Sequence, residues 1–161
     1  MARVTAHVHN TDHPDVKIPP PLIYVGGYVV GWLLGRVLPV AVIPTGLGRA
    51  VALACLVVSA ILAAWSIDLF RRSHTSLLPI RPATALIVSG PYRFTRNPMY
   101  LALTCLYLGL ALWFMVFWAL VLLPPIIGAV QHYVIRPEEH YLERRFGEEY
   151  HRYRVQVHRW I

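Results

Sequence analysis

The chain has 161 residues, of which 57% are hydrophobic and 14% charged, and its formal net charge is +7. This length fits one domain, and this composition excludes an ordinary soluble protein. Residues 100–135 contain no Lys, Arg, Asp or Glu, and residues 22–69 contain only Arg36, Arg49 and Asp68. A bilayer core of roughly 30 Å takes about 20 apolar residues per helix. The sequence therefore predicts an all-α integral membrane protein with about four transmembrane helices, a cytoplasmic loop and C-terminal helical segments.

The N-terminal arm, residues 1–21, is polar and lacks the apolar core of a signal peptide. Its histidines, His7, His9 and His13, favour a solvated tail over a metal site, so no metal is expected. All of the 15 Lys and Arg residues except Arg36 and Arg49 lie in this arm, the central loop or the tail. The positive-inside rule places those three segments, and hence both termini, in the cytoplasm of a cell with the protein in its inner membrane. The basic charge thus indicates a partner in the lipid bilayer and no nucleic acid.

The first helix hairpin, residues 22–70, is predicted as one span over Leu22–Val42 and a second over Arg49–Phe70. In the first span Gly27, Gly31 and Gly35 are four residues apart, so they share one helix face. Small residues on one face let another helix approach closely. The stripe therefore predicts a tight helix contact.

Three side chains in the apolar regions favour structural roles. Asp68 precedes Arg71 and Arg72 by three and four residues, which favours a local ion pair over a ligand-binding role. Cys55 and Cys105 both fall within apolar spans and are interpreted as small packing residues.

The remaining segments are a cytoplasmic loop at 71–97, a second hairpin at 98–135 and a tail at 136–161 that covers the site. Prolines prevent a long helix in the loop. The second hairpin is expected to turn near Trp113–Met115 and to kink at Pro124–Pro125. In the tail, Pro137 predicts a new helix with Glu138 in its first turn, where a helix N-terminus favours negative charge. Gly147 predicts a break between two tail helices.

Four motifs carry the functional information, because the sequence has no nucleotide-binding glycine loop, zinc motif or nucleophile elbow. They are Gly90–Tyr100 (GPYRFTRNPMY), Arg136–Glu139 (RPEE), Phe146–Tyr150 (FGEEY) and Val157–Trp160 (VHRW). In this order and spacing they resemble the isoprenylcysteine carboxyl methyltransferase / phospholipid methyltransferase family of integral membrane proteins. The resemblance covers roughly residues 70–161.

The resemblance implies a methyltransferase dependent on S-adenosyl-L-methionine, with the cofactor enclosed by the loop and the C-terminal segments. It implies transfer to a lipophilic or membrane-associated acceptor, whose reactive group is a carboxylate, a thiol or a lipid headgroup. No catalytic base is identified, and Arg136 is a candidate for binding the acceptor. The implied cofactor-binding residues are Thr84, Ala85, Leu86, Ile87, Tyr92, Asn97, Pro98, Met99, Tyr100, Glu138 and Glu139.

Two positions depart from the prenylcysteine enzymes. Asn97 stands where they usually carry histidine, and Val134 stands where they carry an arginine that meets the substrate carboxylate. Two alternative functions are an NADPH-dependent membrane reductase of the sterol-reductase type and a small non-enzymatic transporter or scaffold. A proton-coupled transporter would normally hold an acid in mid-membrane, whereas Asp68 lies near the end of its span.

Overall fold

The computed structural model describes residues 16, 18–40, 46–73 and 85–160, and these segments contain helices and no β-strand. The expected all-α fold is therefore confirmed over this part of the chain. Most of the N-terminal arm and residue Thr84 lie outside the described residues. The helices are α1 (Pro20–Val37), α2 (Gly46–Arg72), α3 (Pro98–Trp113), α4 (Phe117–Val130), α5 (Arg136–Phe146) and α6 (Glu148–Gln156).

Two helices are long and apolar enough to cross a bilayer: α2, with 27 residues, and the helix that runs without interruption through Phe117–Phe146, with 30 residues. The other two predicted spans are shorter, because α1 has 18 residues and α3 has 16. At 1.5 Å per residue these helices extend about 27 and 24 Å, slightly less than the hydrocarbon core. Four membrane crossings remain a prediction.

Helix α3 is the centre of the bundle, with α2 on one side and α1 and α4 on the other. On the α2 side, Ser59 Oγ donates to the carbonyl of Ala102 at 2.7 Å. On the opposite side, the Tyr107 hydroxyl donates to the carbonyl of Ala119 at 3.0 Å. Such hydrogen bonds between apolar helices fix their relative register, since water is not available as a partner.

The glycine stripe of α1 makes the predicted tight helix contact, and its partner is α4. A Cβ atom at Gly31 would lie 2.6 Å from the backbone nitrogen of Ala119, and one at Gly27 would overlap the side chain of Ile126. Gly35 is less crowded, because its Cβ would be 3.9 Å from the nearest ring atom of Trp118. The tight contact is therefore centred on Gly31, where the obstacle is backbone that cannot rotate away.

Several local predictions are confirmed. Helix α3 ends at Trp113 and α4 begins at Phe117, so the hairpin turns where expected. Asp68 pairs with Arg72, Nε to Oδ2 at 2.9 Å, on an exposed surface. Gly147 separates α5 from α6 with a φ of 52°, a left-handed conformation that favours glycine.

Helix α5 begins at Arg136 with Pro137 and Glu138 in its first turn, as predicted. It is not a separate helix, however, because α4 continues into it through a π-helical turn at Gln131–Ile135. The N–H of Arg136 donates to the carbonyl of Gln131, five residues earlier. Pro137 has no N–H to donate, and the wide turn in front of it accommodates that missing hydrogen bond. Glu138 is consequently not at a free helix N-terminus, and the helix dipole does not explain its charge. Pro124 and Pro125 lie inside α4, and a kink there stays a prediction.

Candidate functional site

Tyr100 and Glu138 meet although they come from different helices. Tyr100 is the third residue of α3 and is 8% exposed. Its hydroxyl donates to Glu138 Oε2 at 2.7 Å. The π turn adds one residue to a helical turn, so it rotates every later side chain by roughly 100° relative to a regular α-helix. This rotation is part of the reason why the Glu138 side chain points toward α3.

Glu138 carries a carboxyl group in an unfavourable place for a charge. The apolar part of its helix ends at Ile135, so Glu138 lies just beyond it. The pKa of Glu138 is raised to about 7, chiefly by burial; the hydrogen bond from Tyr100 opposes the rise, and the charge of Glu139 adds to it. Its partner within the described residues is thus a neutral hydroxyl. A carboxylate held in this way is available to a cation or to hydroxyl groups of a ligand.

Tyr92 is the third residue that we associate with the pair of Tyr100 and Glu138. It belongs to a 3₁₀ turn, Gly90–Arg93, and its ring packs edge to face on Phe70 with 5.8 Å between ring centres. Its carbonyl accepts a hydrogen bond from the Tyr153 hydroxyl at 2.7 Å. Burial and the charge of Glu138 raise the pKa of Tyr92, which places its hydroxyl within the electrostatic reach of that carboxylate.

Glu139 has a different environment from its neighbour. Arg159 donates to both of its oxygens, from Nε to Oε1 at 3.0 Å and from Nη2 to Oε2 at 2.6 Å. Arg96 Nη1 lies 3.1 Å from Oε1. The side chain of Glu139 is 12% exposed and that of Arg96 is 9% exposed. Two arginines therefore occupy this carboxylate, and its role as a cofactor ligand stays a prediction.

The C-terminal strap, which we define as Val157–Trp160, lies against the segment that leads into α3. The N–H of Arg96 donates to the carbonyl of His158 at 3.0 Å. The carbonyl of Arg159 accepts from Asn97 Nδ2 at 2.9 Å and from the Thr95 hydroxyl at 3.2 Å. Asn97 precedes α3 as predicted, but its side chain makes no capping hydrogen bond to the helix. That side chain binds the strap instead.

The far end of the strap is attached to the π turn. Trp160 Nε1 donates to Gln131 Oε1 at 3.0 Å. The strap therefore connects three elements around Glu138: the segment before α3, the π turn and α5.

The structure brings together only some of the residues predicted for the site. Three of them come together, and we call them the cluster: Tyr92, Tyr100 and Glu138. Pro98 is buried at the start of α3 and Met99 is partly buried. Ala85, Leu86 and Ile87 are partly buried, and their role as a wall of the site stays a prediction.

Arg136, the candidate for acceptor binding, is exposed and contacts His132, Nη1 to Nδ1 at 3.4 Å. It therefore lies outside the cluster, and its role stays a prediction.

Sequence reasoning assigned no role to Arg159, Thr95 or the tyrosines of α6, Tyr150 and Tyr153. The motif Val157–Trp160 was the available signal for Arg159. A single sequence does not indicate which of the basic residues in the tail pairs with Glu139.

The donors and acceptors of the site fit a zwitterionic ligand. Glu138 offers acceptor oxygens, and the tyrosine rings offer faces suited to a cation. Arg96 is largely buried, and its Nε has no hydrogen-bond partner in the described residues. Buried donors are rarely left unpaired, so this nitrogen is available to an anionic group.

The family model of phospholipid methyltransferases matches residues 47–149, and the chain belongs to that family. Membership of this family implies a membrane methyltransferase with lipid-related substrates. The match contains the cluster of Tyr92, Tyr100 and Glu138 and ends before the strap. It supports neither the reductase nor the transporter alternative.

One relative is an uncharacterised protein of Haemophilus influenzae. It is 38% identical to this chain over 65 residues, which are 39% of this chain and 100% of the relative. No solved structure matches the chain.

Proposed function

We propose that the protein transfers a methyl group from S-adenosyl-L-methionine to a lipophilic acceptor at the cytoplasmic face of the membrane. The observation that carries this proposal is Glu138. It is a carboxyl group with a raised pKa, bound by a neutral tyrosine just beyond the apolar part of its helix. Family membership supplies the methyl transfer, and the site supplies a place for a cationic cofactor.

Different residues of the site bind different parts of the cofactor. Glu138 accepts hydrogen bonds from the ribose hydroxyls or the ammonium group. The rings of Tyr92 and Tyr100 flank the adenine or the sulfonium. Arg96 holds the carboxylate with its free Nε. The bound cofactor supplies a methyl group on a positively charged sulfur.

The chain itself aligns the reactants and excludes water. Methyl transfer is an in-line displacement, so it gains chiefly from correct distance and orientation. The strap lies across the segment before α3 and shields the cluster from the aqueous side. Water exclusion strengthens the electrostatic interactions that hold the cofactor. No side chain of the described cluster is assigned as a general base.

The acceptor enters from the bilayer in this proposal, in a single domain with four membrane spans and both termini in the cytoplasm. Val134, where prenylcysteine enzymes have an arginine, is completely buried. Because valine is uncharged, this position provides no charge for a substrate carboxylate. Arg136, at the surface just beyond the apolar segment, remains the proposed contact for an acceptor headgroup.

The test is transfer of a labelled methyl group into lipid. The purified protein is reconstituted in vesicles of total membrane lipid and incubated with S-adenosylmethionine that carries a tritiated methyl group. We expect label in the organic extract with the wild type and with the surface control Glu148→Gln, and a strong loss with Glu138→Gln. Absence of label with folded wild type across lipid and prenylcysteine acceptors contradicts the proposal.

A further inference from the structure

Arg159 is bonded to both halves of the candidate site at once. Its carbonyl accepts hydrogen bonds from Asn97 and Thr95, which lead into α3. Its guanidinium binds both oxygens of Glu139 on α5. Arg159 is one of the few residues in the described part of the chain for which backbone and side chain reach different elements of the site.

Among the described elements, α5 packs on the π turn and on α6 rather than broadly on α3. Side-chain contacts therefore carry much of the connection between the two halves. Arg96, in the segment before α3, contacts Glu139 directly at 3.1 Å, and Arg159 adds a second connection through the strap. Because Tyr100 is three residues after Asn97 and Glu138 is next to Glu139, these connections contribute to the distance between Tyr100 and Glu138.

We propose that Arg159 is a positioning residue, which holds the segment before α3 and helix α5 at the separation that the Tyr100–Glu138 pair needs to bind the cofactor. This inference rests on the proposed function. It also gives Glu139 a role distinct from that of Glu138. Glu138 contacts the ligand, and Glu139 anchors the strap through Arg159.

The same pair also controls the charge next to Glu138. The groups coupled electrostatically to Glu138 are Tyr100 from α3, Tyr92 from the 3₁₀ turn, Tyr150 from α6 and Glu139 on α5. Of these, only Glu139 is an acidic residue. Its negative charge disfavours ionisation of Glu138, and Arg159 and Arg96 offset that charge.

Breaking the pair from its two sides therefore has opposite electrostatic effects. Removal of the Arg159 guanidinium leaves the charge of Glu139 less compensated, so Glu138 ionises at a higher pH. Removal of the charge of Glu139 lets Glu138 ionise at a lower pH. Both changes loosen the same contact between the strap and α5. The signs of these shifts test the charge coupling to Glu138, and a variant that keeps the charge of Arg159 but not its geometry tests the positioning.

The experiment measures the affinity for S-adenosylhomocysteine from pH 5.5 to 9 in full-length protein. The variants are Arg159→Gln, Glu139→Gln and the control Arg154→Gln. Arg154 forms an ion pair with Glu143 that also joins α6 to α5, but both side chains are 41% exposed and remote from the cluster's hydrogen bonds. We expect a loss of about tenfold or more at pH 9 for the first two variants. The pH midpoint of binding should rise in Arg159→Gln, fall in Glu139→Gln and stay unchanged in Arg154→Gln.

Arg159→Lys keeps the test decisive where Arg159→Gln does not fold. Lysine retains the charge but not the two parallel hydrogen bonds of arginine, so we expect the wild-type midpoint with weaker binding. Shifts of the same sign in the Glu139 and Arg159 variants, or an Arg159→Lys variant with wild-type affinity, overturn the inference. A folded wild type that does not bind S-adenosylhomocysteine contradicts the proposed function itself, whereas tight binding with no effect of Arg159 contradicts only this inference.

Discussion

Replacing Glu138 with glutamine should stabilise the ligand-free protein and weaken cofactor binding. The raised pKa of Glu138, about 7 against an ordinary value of 4.5, means that ionisation of this group costs folding free energy. The cost is absent below pH 4.5, grows as the pH rises toward 7 and is complete above it. At 1.36 kcal/mol per pKa unit, its upper limit is on the order of 3 kcal/mol. Glutamine does not ionise, and its oxygen can still accept the hydrogen bond from Tyr100.

The effect on binding has the opposite sign. A hydrogen bond to a charged group contributes roughly 1.5–3 kcal/mol, which corresponds to about 10- to 150-fold in affinity. The wild-type affinity for S-adenosylhomocysteine should rise with pH through about 7, as Glu138 ionises. The affinity of the Glu138→Gln variant should be low and independent of pH in this range.

The assay combines thermal unfolding in detergent at pH 4.5 and pH 8 with calorimetric binding at pH 5.5 and pH 8. Glu148→Gln, on an exposed surface, is the control. We expect Glu138→Gln to melt at a higher temperature than the wild type at pH 8, and at a similar temperature at pH 4.5. Equal affinity of the wild type and Glu138→Gln would remove Glu138 from the site. A lower melting temperature at pH 8 would refute the account of its charge.

Three further predictions concern packing, the hydrogen-bonded pair and topology. Gly31→Leu should lower the yield and the melting temperature, because the new side chain would overlap the Ala119 backbone. Gly26→Leu, with open space around it, should lower neither. Equal stability of the two variants would contradict the predicted contact. Tyr100→Phe removes a hydrogen bond that lowers the pKa of Glu138, so the pH midpoint of cofactor binding should move upward, and an unchanged midpoint would contradict the pairing. Reporter fusions should place both chain ends in the cytoplasm, and ends on opposite faces would exclude four spans.

Much of the fold could be predicted because it depends on patterns within short segments. The long apolar runs predicted the helices, and the spacing of Gly27, Gly31 and Gly35 predicted a tight contact without naming its partner. Gly147 marked the break between the two tail helices. The π turn could not be predicted, because its local sequence is as compatible with a regular α-helix. That turn is why α5, although it begins at Arg136, has no free N-terminus.

The candidate site was less predictable, because it depends on contacts between distant segments. The motifs indicated Tyr100 and Glu138, which are 38 residues apart, but not that they form a pair. The adjacent residues Glu138 and Glu139 look equivalent in sequence. Their difference arises from Arg159, which is 20 residues beyond Glu139 and reaches it only through the tertiary fold.

The central claim is that this site binds S-adenosylmethionine, and its most direct test is a binding titration of purified protein. S-adenosylmethionine, S-adenosylhomocysteine and NADPH are titrated separately into the wild type at pH 8, where Glu138 is ionised. The account predicts saturable one-site binding of the first two compounds and no binding of NADPH. Binding of NADPH without S-adenosylhomocysteine, or binding of none of the three by folded protein, would contradict it.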